Sequence, residues 1–396
     1  MEEVTIEWFV DPLGQLAFLE RMYLGSDGFI AAGGSKVKFV TGRIGSGKTT
    51  MLQALLARAG ELDYLVSEID ARSVAIRSID DLYRALLAPV DLREVMDRFC
   101  RQVITALGSE ADAIPDGLTY AEWMVRRGRA IEIVRREVRE DLERRVFQDA
   151  HLHRSFAFAV MQLAAHHLGV TPRPADEYVT LEQWLKGARV MARERNRLGL
   201  RLAIDRHSAR LMLRSWLHFV RLAGYRGHVA VVDNFDVVLN TDPGSDLPRY
   251  TRMRRNDLYE AIRELIDDVD NLEGFFFVVA GEKELFQDPK AGLKSYPALW
   301  MRIQNEVEPD PHSHQVNRFA DVLDLDRLWD AAGREALVSV AIRKAGLPDH
   351  VYSPDERRVQ ELETLVNGVL ESRDRTISPV QRVVQGVLER RRRWLA

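Results

Sequence analysis

Short apolar runs alternate with helix-compatible stretches in the first part of the chain. The β-rich run KVKFV is followed by a glycine loop and by the amphipathic stretch TTMLQALLARAG, and a second β-rich run comes in DYLVSEID. Two more such runs, HVAVVD and GFFFVVAG, appear much later. The alternation of strand, helix and strand predicts a parallel sheet covered by helices, which is an α/β fold.

The strand pattern pauses between about residues 78 and 225. Apolar residues there recur at spacings of three and four, which indicates one face of a long helix. The clearest set is Ile131, Val134, Val138, Leu142 and Val146. We therefore expect a large helical insertion between two strands of the sheet.

The remaining segments read as helical. The sequence predicts an N-terminal helical segment over residues 1–35, a sheet-containing domain over 36–305, and a C-terminal helical domain over 306–396. Beyond about residue 305 amphipathic helices dominate, and the last one is predicted to begin at Ser378-Pro379, a favourable cap and first-turn pair. Its apolar stripe consists of Val380, Val383, Val384, Val387 and Leu388.

The composition argues against a disulfide-stabilised, a membrane-spanning or a strongly basic protein. The 396 residues are 46% hydrophobic and 29% charged, and the single cysteine, Cys100, rules out an internal disulfide framework. Nothing resembles a signal peptide or a membrane-spanning run, so a cytoplasmic protein is expected. The net charge of −4 gives no overall attraction to nucleic acid, so DNA binding would need a local basic patch.

The segment GRIGSGKT matches the phosphate-loop pattern G-x-x-x-x-G-K-[ST] in full. Glycines let backbone N–H groups turn towards phosphates, and the helix that follows presents its positive N-terminus to them. Lys48 would reach the β- and γ-phosphates of ATP, and the Thr49 hydroxyl would bind Mg²⁺. The predicted nucleotide-binding residues are Gly42, Arg43, Ile44, Gly45, Ser46, Gly47, Lys48, Thr49 and Thr50.

A second buried strand, VAVVD, ends in an acid. With a phosphate loop present, Asp233 is the natural Walker B residue, and it would hold Mg²⁺ opposite Thr49. The metal ligands predicted from the sequence are therefore Thr49 and Asp233.

Asn234 stands where many nucleotide hydrolases have a glutamate that polarises the attacking water. A neutral amide orients water but does not accept its proton. Three interpretations stay open: Asp236 reaches the water, or Glu68 or Asp70 does so from another strand, or the protein binds ATP as a switch and hydrolyses it slowly. Asp233, Asn234 and Asp236 are thus candidate catalytic residues.

Three further residues are candidates for sensing the γ-phosphate. Glu282 follows the run FFFVVAG, where it would orient water, bind an arginine or cap the next turn. Arg302 lies where an arginine finger would reach a neighbouring subunit, and a surface arginine is the alternative. Arg382 lies nearly opposite the valine stripe of the last helix, so it faces solvent or folds over the nucleotide as a second sensor.

Two other groups of residues carry weaker signals. The histidine pairs have no cysteine or carboxylate at a recognised ligand spacing, so no structural metal is predicted from them. Two basic stretches, Arg249 to Asp257 and Arg390–Arg393, are candidates for contact with a DNA or RNA backbone, although solvated helix faces are the commoner outcome. The histidine pairs are His151 and His153, His166 and His167, and His312 and His314.

Four segments occur in the order seen in one bacterial family: AAGGSKVKFVTGRIGSGKTTML, LEQWLKGARVMARERNRLGL, VRLAGYRGHVAVVDNFD and AGLKSYPALWMRIQ. They resemble the ATP-binding proteins of BREX phage-exclusion islands, the BrxD-like P-loop ATPases, over roughly residues 30 to 305. The resemblance implies an AAA-like P-loop core with a helical insertion and a C-terminal helical lid. It also implies ATP and Mg²⁺ as ligands, other defence-system proteins as partners, and an oligomer.

The chain departs from the family pattern at two places. The family usually has D-E after the strand, where this chain has Asp233-Asn234, and it tends to show S/T-P-R where this chain has Ser378-Pro379-Val380. The resemblance therefore implies an ATP-dependent switch or motor subunit with slow or partner-stimulated hydrolysis. A non-hydrolysing, ATP-bound assembly scaffold and an AAA-type target-selection ATPase of the transposition kind are the alternatives.

Overall fold

A five-stranded parallel sheet forms the centre of the molecule in the computed structural model. The strands lie in the order β2-β3-β4-β1-β5, and every neighbouring pair is parallel. Their bounds are β1 Lys36–Thr41, β2 Leu65–Asp70, β3 His228–Asp233, β4 Phe275–Gly281 and β5 Val322–Asp324. The structure describes residues 14–304, 319–326, 337–339, 341–342, 356–371 and 379–395.

Helices cover the sheet and fill the interval between β2 and β3. In the described ranges the α-helices are α1 Gln15–Leu19, α2 Lys48–Glu61, α3 Ile79–Leu87, α4 Leu92–Ala106, α5 Tyr120–Arg126, α6 Ile131–Leu142, α7 Arg154–His167, α8 Ala175–Leu185, α9 Ala192–Arg197, α10 Ala209–Leu222, α11 Arg252–Asp267, α12 Lys283–Gln287, α13 Pro297–Gln304, α14 Glu356–Glu371 and α15 Pro379–Leu395. No helix in these ranges has the length and apolar character needed to cross a membrane.

The four strands predicted from the sequence are confirmed, and so is their parallel arrangement. Every residue of β3 and β4 is buried, as expected for central strands of a parallel sheet covered on both faces. The aromatic and branched side chains of these strands therefore pack into two separate cores, one on each face of the sheet.

His228, the first residue of β3, is buried and links this strand to β2 and to the helical insertion. The Trp216 indole N–H donates to His228 Nδ1 at 3.2 Å, so His228 Nε2 carries the proton and donates to Ser67 Oγ at 2.8 Å. Ser67 in turn donates to the Leu86 carbonyl at 2.8 Å. Burial lowers the pKa of His228 to about 3, so the ring is neutral at physiological pH.

The interval between β2 and β3 is helical throughout its regular elements, from α3 to α10, as the hydrophobic spacing predicts. Val134, Val138, Leu142 and Val146 are all buried, which confirms the predicted stripe. The predicted single long helix is in fact α6 followed by a π-helical turn over Glu143–Phe147.

The C-terminal part is less purely helical than the sequence suggests. Beyond about residue 305 the sequence predicts a helical domain without strands of the sheet, but β5 pairs with β1 through Phe39 and Val322, Val40 and Leu323, and Thr41 and Asp324. With only three residues, β5 is too short to give a periodic signal. Helix α15 begins at Pro379 as predicted, and Val383, Val384 and Val387 pack against α14 in a small separate cluster, whereas Leu388 of the predicted stripe is exposed.

Candidate functional site

The carboxyl ends of the five strands meet at one edge of the sheet, because all the strands are parallel. The polar residues that follow these ends therefore converge there, which is the usual ligand site of an open α/β sheet. The loop after β1 is the predicted phosphate loop, and α2 begins directly behind it at Lys48.

The phosphate loop has the backbone conformation that its glycines permit. Gly45 and Gly47 have φ angles of +79° and +95°, in the left-handed region that residues with a Cβ atom rarely adopt. Nothing lies within 4 Å of a Cβ atom built on Gly47, so its outer side is open. The buried Ser46 hydroxyl has no hydrogen-bond partner in the described residues. This open loop with an unsatisfied donor fits a phosphate group.

Thr49 and Asp233 come together as the sequence predicts. The Thr49 hydroxyl donates to Asp233 Oδ2 at 2.5 Å, although the two residues lie 184 positions apart in the chain. Asp233 is 5% exposed, and burial raises its pKa, against the opposing effect of the Thr49 hydrogen bond. Two oxygen ligands thus face each other at the end of the phosphate loop, an arrangement that suits a hard cation such as Mg²⁺.

Lys48 lies over the phosphate loop. Its ammonium group donates to the carbonyl oxygens of Gly42 at 2.8 Å and Arg43 at 3.1 Å. Burial lowers the pKa of Lys48, and the carboxylates around it oppose this effect. In order of decreasing influence these carboxylates are Glu282, Asp236, Asp233 and Asp326. Lys48 is therefore the cation at the centre of an acidic site.

Asn234 adopts the left-handed conformation, with φ of +56°. Its side-chain amide donates to Asp70 Oδ1 at 3.0 Å, and its backbone N–H donates to Asp233 Oδ1 at 2.7 Å. Asp70 lies directly beside Asp233 in the pairing of β2 with β3. The amide of Asn234 thus links the acid at the tip of β2 to the end of β3, at the position that many nucleotide hydrolases fill with a glutamate.

Asp236 and Glu282 lie next to each other, and the charges of both act on Lys48. Asp236 Oδ1 accepts the backbone N–H of Glu282 at 3.2 Å, and the guanidinium of Arg72 lies 3.9 Å from Asp236 Oδ2. Burial and the charge of Asp236 raise the pKa of Glu282, whereas Lys48 lowers it. Glu282 is therefore a carboxylate with an elevated pKa close to the predicted phosphate position, which is the property of a general base.

Sequence reasoning missed a set of charged residues at the start of the loop. Asp326 accepts the Arg43 backbone N–H at 3.2 Å, and Lys283 contacts both Asp326, at 2.7 Å, and Asp324, at 3.3 Å. These contacts tie the phosphate loop to the ends of β4 and β5. The segment LDLD that contains both aspartates has no recognisable motif, so only the pairing of β5 reveals it.

The other predicted site residues lie in varied surroundings. Ile44 is exposed, Thr50 is partly buried in the first turn of α2, and Glu68 is exposed on β2 two residues before its tip. Arg302 on α13 forms an ion pair with Asp267, with Nε 2.9 Å from Oδ1. Arg382 is a partly buried residue of α15.

A family model described as "BREX system ATP-binding protein BrxC/D" matches residues 26–372, most of the chain. The chain belongs to this family. The match includes the glycine loop after β1, strand β3 and the helical interval between them, and the BrxC/D family name gives ATP as the ligand and the BREX defence system as the setting. No curated protein and no solved structure matches the chain.

Proposed function

We propose that this BrxC/D-family protein is a P-loop ATPase that acts as a nucleotide-dependent switch or motor subunit of the BREX system. The observation that carries the proposal is the 2.5 Å contact between Thr49 Oγ1 and Asp233 Oδ2 beside the open glycine loop. The parallel sheet, with the phosphate-loop strand β1 between β4 and β5 and the acid-bearing β3 one strand further on, supports an AAA-like core.

The charges of the site favour ATP bound with a divalent cation. Four carboxylates surround Lys48, of which Asp236 also has Arg72 as a neighbour and Asp326 has Lys283, and a triphosphate would add about four more negative charges near neutral pH. Thr49 and Asp233 would hold Mg²⁺, which neutralises phosphate charge when it is bound. Because the buried Asp233 must be ionised to bind a metal, metal binding would release protons at low pH.

Hydrolysis by the isolated chain is proposed to be slow. Asn234 has no proton-accepting group, and the two nearby aspartates are already engaged, Asp70 with the Asn234 amide and Asp236 with the Glu282 backbone. Glu282 is the carboxylate that best supports a role as base, because its pKa is raised and it lies close to Lys48. Partner binding that reorients Glu282 or Asp236 would then stimulate turnover.

Oligomer formation would supply a further cation. Arg302 is bound to Asp267 of its own chain and lies on a partly exposed helix, so it is available to exchange partners when another subunit docks. An arginine finger of this kind contributes about 10³–10⁵ in rate where it operates. We also propose that α14 and α15 belong to a C-terminal lid over residues 306–396 and that Arg382 approaches the nucleotide from it.

A basic surface favours DNA as a partner. Arg249, Arg252 and Arg254 are exposed around the start of α11, and Met253 between them is 71% exposed. Cations at a helix N-terminus oppose the helix dipole, so this placement does not serve helix stability. It does suit phosphate groups of a nucleic-acid backbone. In the second basic run, Arg390–Arg393, the Arg390 guanidinium donates to the Gly386 carbonyl of its own helix.

Phosphate release measured with and without double-stranded DNA, at several protein concentrations, tests the proposal. We expect slow basal turnover that rises with DNA or with concentration, and its loss in Lys48→Ala. ATP binding and ATP-dependent oligomers with no phosphate release under any condition would instead favour the non-hydrolysing assembly scaffold. Asn234 supports that alternative because its amide does not accept a proton from water. ATP-dependent filaments on DNA would favour a target-selection ATPase.

A triple variant, Arg249→Gln, Arg252→Gln and Arg254→Gln, separates DNA contact from ATP chemistry. Each lost phosphate contact should lower the slope of log affinity against log salt concentration by about 0.9. The exposed Arg135 and Arg136 on α6 provide a matched control, in which the same change should leave DNA affinity unaltered. Equal losses in both variants would mean that the DNA contact is not located at α11.

A further inference from the structure

A second cluster of ionisable side chains lies at the opposite edge of the sheet from the phosphate loop. Asp149 and His151 lie in the turn between the π-helical turn and α7, and His218 lies on α10. One ligand atom from each of these three residues falls within 4.8 Å of the other two. Glu273, two residues before β4, contacts the same group.

The hydrogen bonds fix the orientation of His218. Its Nδ1 lies 2.5 Å from Glu273 Oε2, and Glu273 is itself held by Arg221, whose Nε lies 3.0 Å from Oε1. The other ring nitrogen, Nε2, lies 2.8 Å from Asp149 Oδ2, so the ring lies between two carboxylates. A positive charge is needed between the ring and Asp149, and either a second ring proton or a metal ion on Nε2 supplies it.

His151 completes the group on the solvent side. Its Nδ1 lies 3.1 Å from Asp149 Oδ1, and its ring stacks on that of His218 with centroids 4.7 Å apart. Protonation of both rings would place two imidazolium cations face to face, which is unfavourable. One shared divalent cation, bound by two neutral imidazoles and a carboxylate, satisfies all three residues without that repulsion.

We propose that Asp149, His151 and His218 form a binding site for a divalent transition metal ion of the Zn²⁺ type. Two imidazole nitrogens and one carboxylate oxygen are a common ligand set for Zn²⁺, with a fourth position left for water. Tetrahedral bonds of 2.0–2.1 Å place ligand atoms about 3.3 Å apart, and here His218 Nε2 lies 2.8 Å from Asp149 Oδ2 while His151 Nδ1 lies 3.1 Å from Asp149 Oδ1. Side-chain rotation would direct both nitrogens at one metal ion.

The surroundings of His218 support this assignment. Glu273 takes the place of the outer carboxylate that commonly orients a metal-binding histidine through its other ring nitrogen. The metal would join the turn before α7 to α10, and Glu273 would link His218 to the start of β4.

Sequence spacing did not reveal this site. In the sequence the nearest histidine to His151 is His153, but its Nδ1 accepts the backbone N–H of Ser155. The partner that matters, His218, comes 67 residues later, and only the packing of α10 beside the turn brings it to Asp149.

Zinc titration of untagged, chelator-treated protein against a chromophoric chelator tests the proposal. We expect one equivalent of Zn²⁺ to bind to the wild type. His151→Ala should weaken that binding at least tenfold, and Glu273→Gln should weaken it about 10–100-fold by loosening His218. Because His151 is exposed, its loss should leave the far-ultraviolet circular dichroism spectrum of the metal-free protein unchanged.

His207→Ala is the matched control. Asp205 and His207 repeat the same turn, since the His207 backbone N–H donates to Asp205 Oδ1 at 2.9 Å as His151 does to Asp149 at 2.8 Å. Within the described residues this turn is not part of a three-ligand group, so His207→Ala should bind Zn²⁺ as the wild type does. The proposal is wrong if the wild type binds no zinc, if His151→Ala binds it undiminished, or if both variants lose it equally.

Discussion

Replacing Asn234 with glutamate is the obvious way to restore a catalytic base, but the structure predicts that the single change will destabilise the protein. Asn234 has φ of +56°, and its amide donates to Asp70 at 3.0 Å. Glutamate is poorly suited to the left-handed region and would place a second carboxylate against the first. Asn234→Glu therefore loses both the tolerance of asparagine for the left-handed region and its amide hydrogen bond to Asp70.

The size of the effect follows from these two terms. A left-handed conformation costs a residue other than glycine, asparagine or aspartate about 1–2 kcal/mol. Two unit charges 4 Å apart repel by about 1 kcal/mol in water and about 4 kcal/mol at a typical protein surface, and the exposure of Asp70 favours the lower figure. Together these terms predict that Asn234→Glu lowers the free energy of unfolding by about 2–3 kcal/mol.

Urea unfolding at pH 7 of a small set of variants separates the two terms. Asn234→Asp keeps a residue that tolerates the left-handed region but adds a charge and loses the amide donor, whereas Asn234→Gly loses the amide donor without strain or charge. We expect losses of about 1 kcal/mol or more for Asn234→Asp and less for Asn234→Gly. Asn234→Glu combined with Asp70→Asn should recover the charge term, and its ATP turnover should exceed that of Asn234→Glu alone.

Full stability of Asn234→Glu would refute this reasoning, because neither the strain nor the repulsion would then exist. Equal losses in Asn234→Glu and in its combination with Asp70→Asn would show that repulsion from Asp70 is not the cause.

Three further predictions follow from single contacts. Gly47→Ala should weaken ATP binding, measured by calorimetry, about 5–30-fold because alanine is strained at φ of +95°. Gly108 has φ of +78° and open space around it, so Gly108→Ala should lose similar stability but bind ATP as the wild type does. His228 is neutral when folded, with a pKa of about 3 against 6.5 for the free group, so the unfolded state binds the extra proton between these values. Its contribution to stability is therefore present above pH 6.5 and is lost as the pH falls, by up to about 1.4 kcal/mol per pH unit, and urea unfolding from pH 7 to 4 should show this loss. Absence of any acid destabilisation would contradict the buried neutral ring. Arg302→Ala should reduce ATP turnover only at protein concentrations at which the chains associate. Asp267→Asn frees Arg302 from its ion pair and should not reduce turnover. A loss of turnover in Arg302→Ala that does not depend on protein concentration would argue against an arginine finger.

The sequence predicted those parts of the fold and site that have strong local signals. The glycine loop, the strand that ends in Asp233 and the apolar stripe of α6 each have a local sequence pattern that few other structures require. Because parallel strands end at one edge, the meeting of Thr49 and Asp233 also followed from the sequence.

What remained hidden depends on long-range packing. The three-residue strand β5 is too short to show a period, so the role of Asp326 at the loop could not be predicted. The link from Asn234 to Asp70 needs the register of β2 against β3. The contact between Asp149 and His218 needs the placement of a whole helix.

The magnesium dependence of ATP binding in Asp233→Asn tests the central claim most directly. A fluorescent ATP analogue should bind the wild type at least about tenfold, or about 1.4 kcal/mol, more tightly with Mg²⁺ than without it. Asparagine accepts the Asn234 backbone N–H and can donate to the Thr49 hydroxyl, so the variant should fold, bind the analogue without Mg²⁺ and gain little from adding it. An unchanged magnesium effect in Asp233→Asn would contradict a shared site formed by the phosphate loop and this carboxylate.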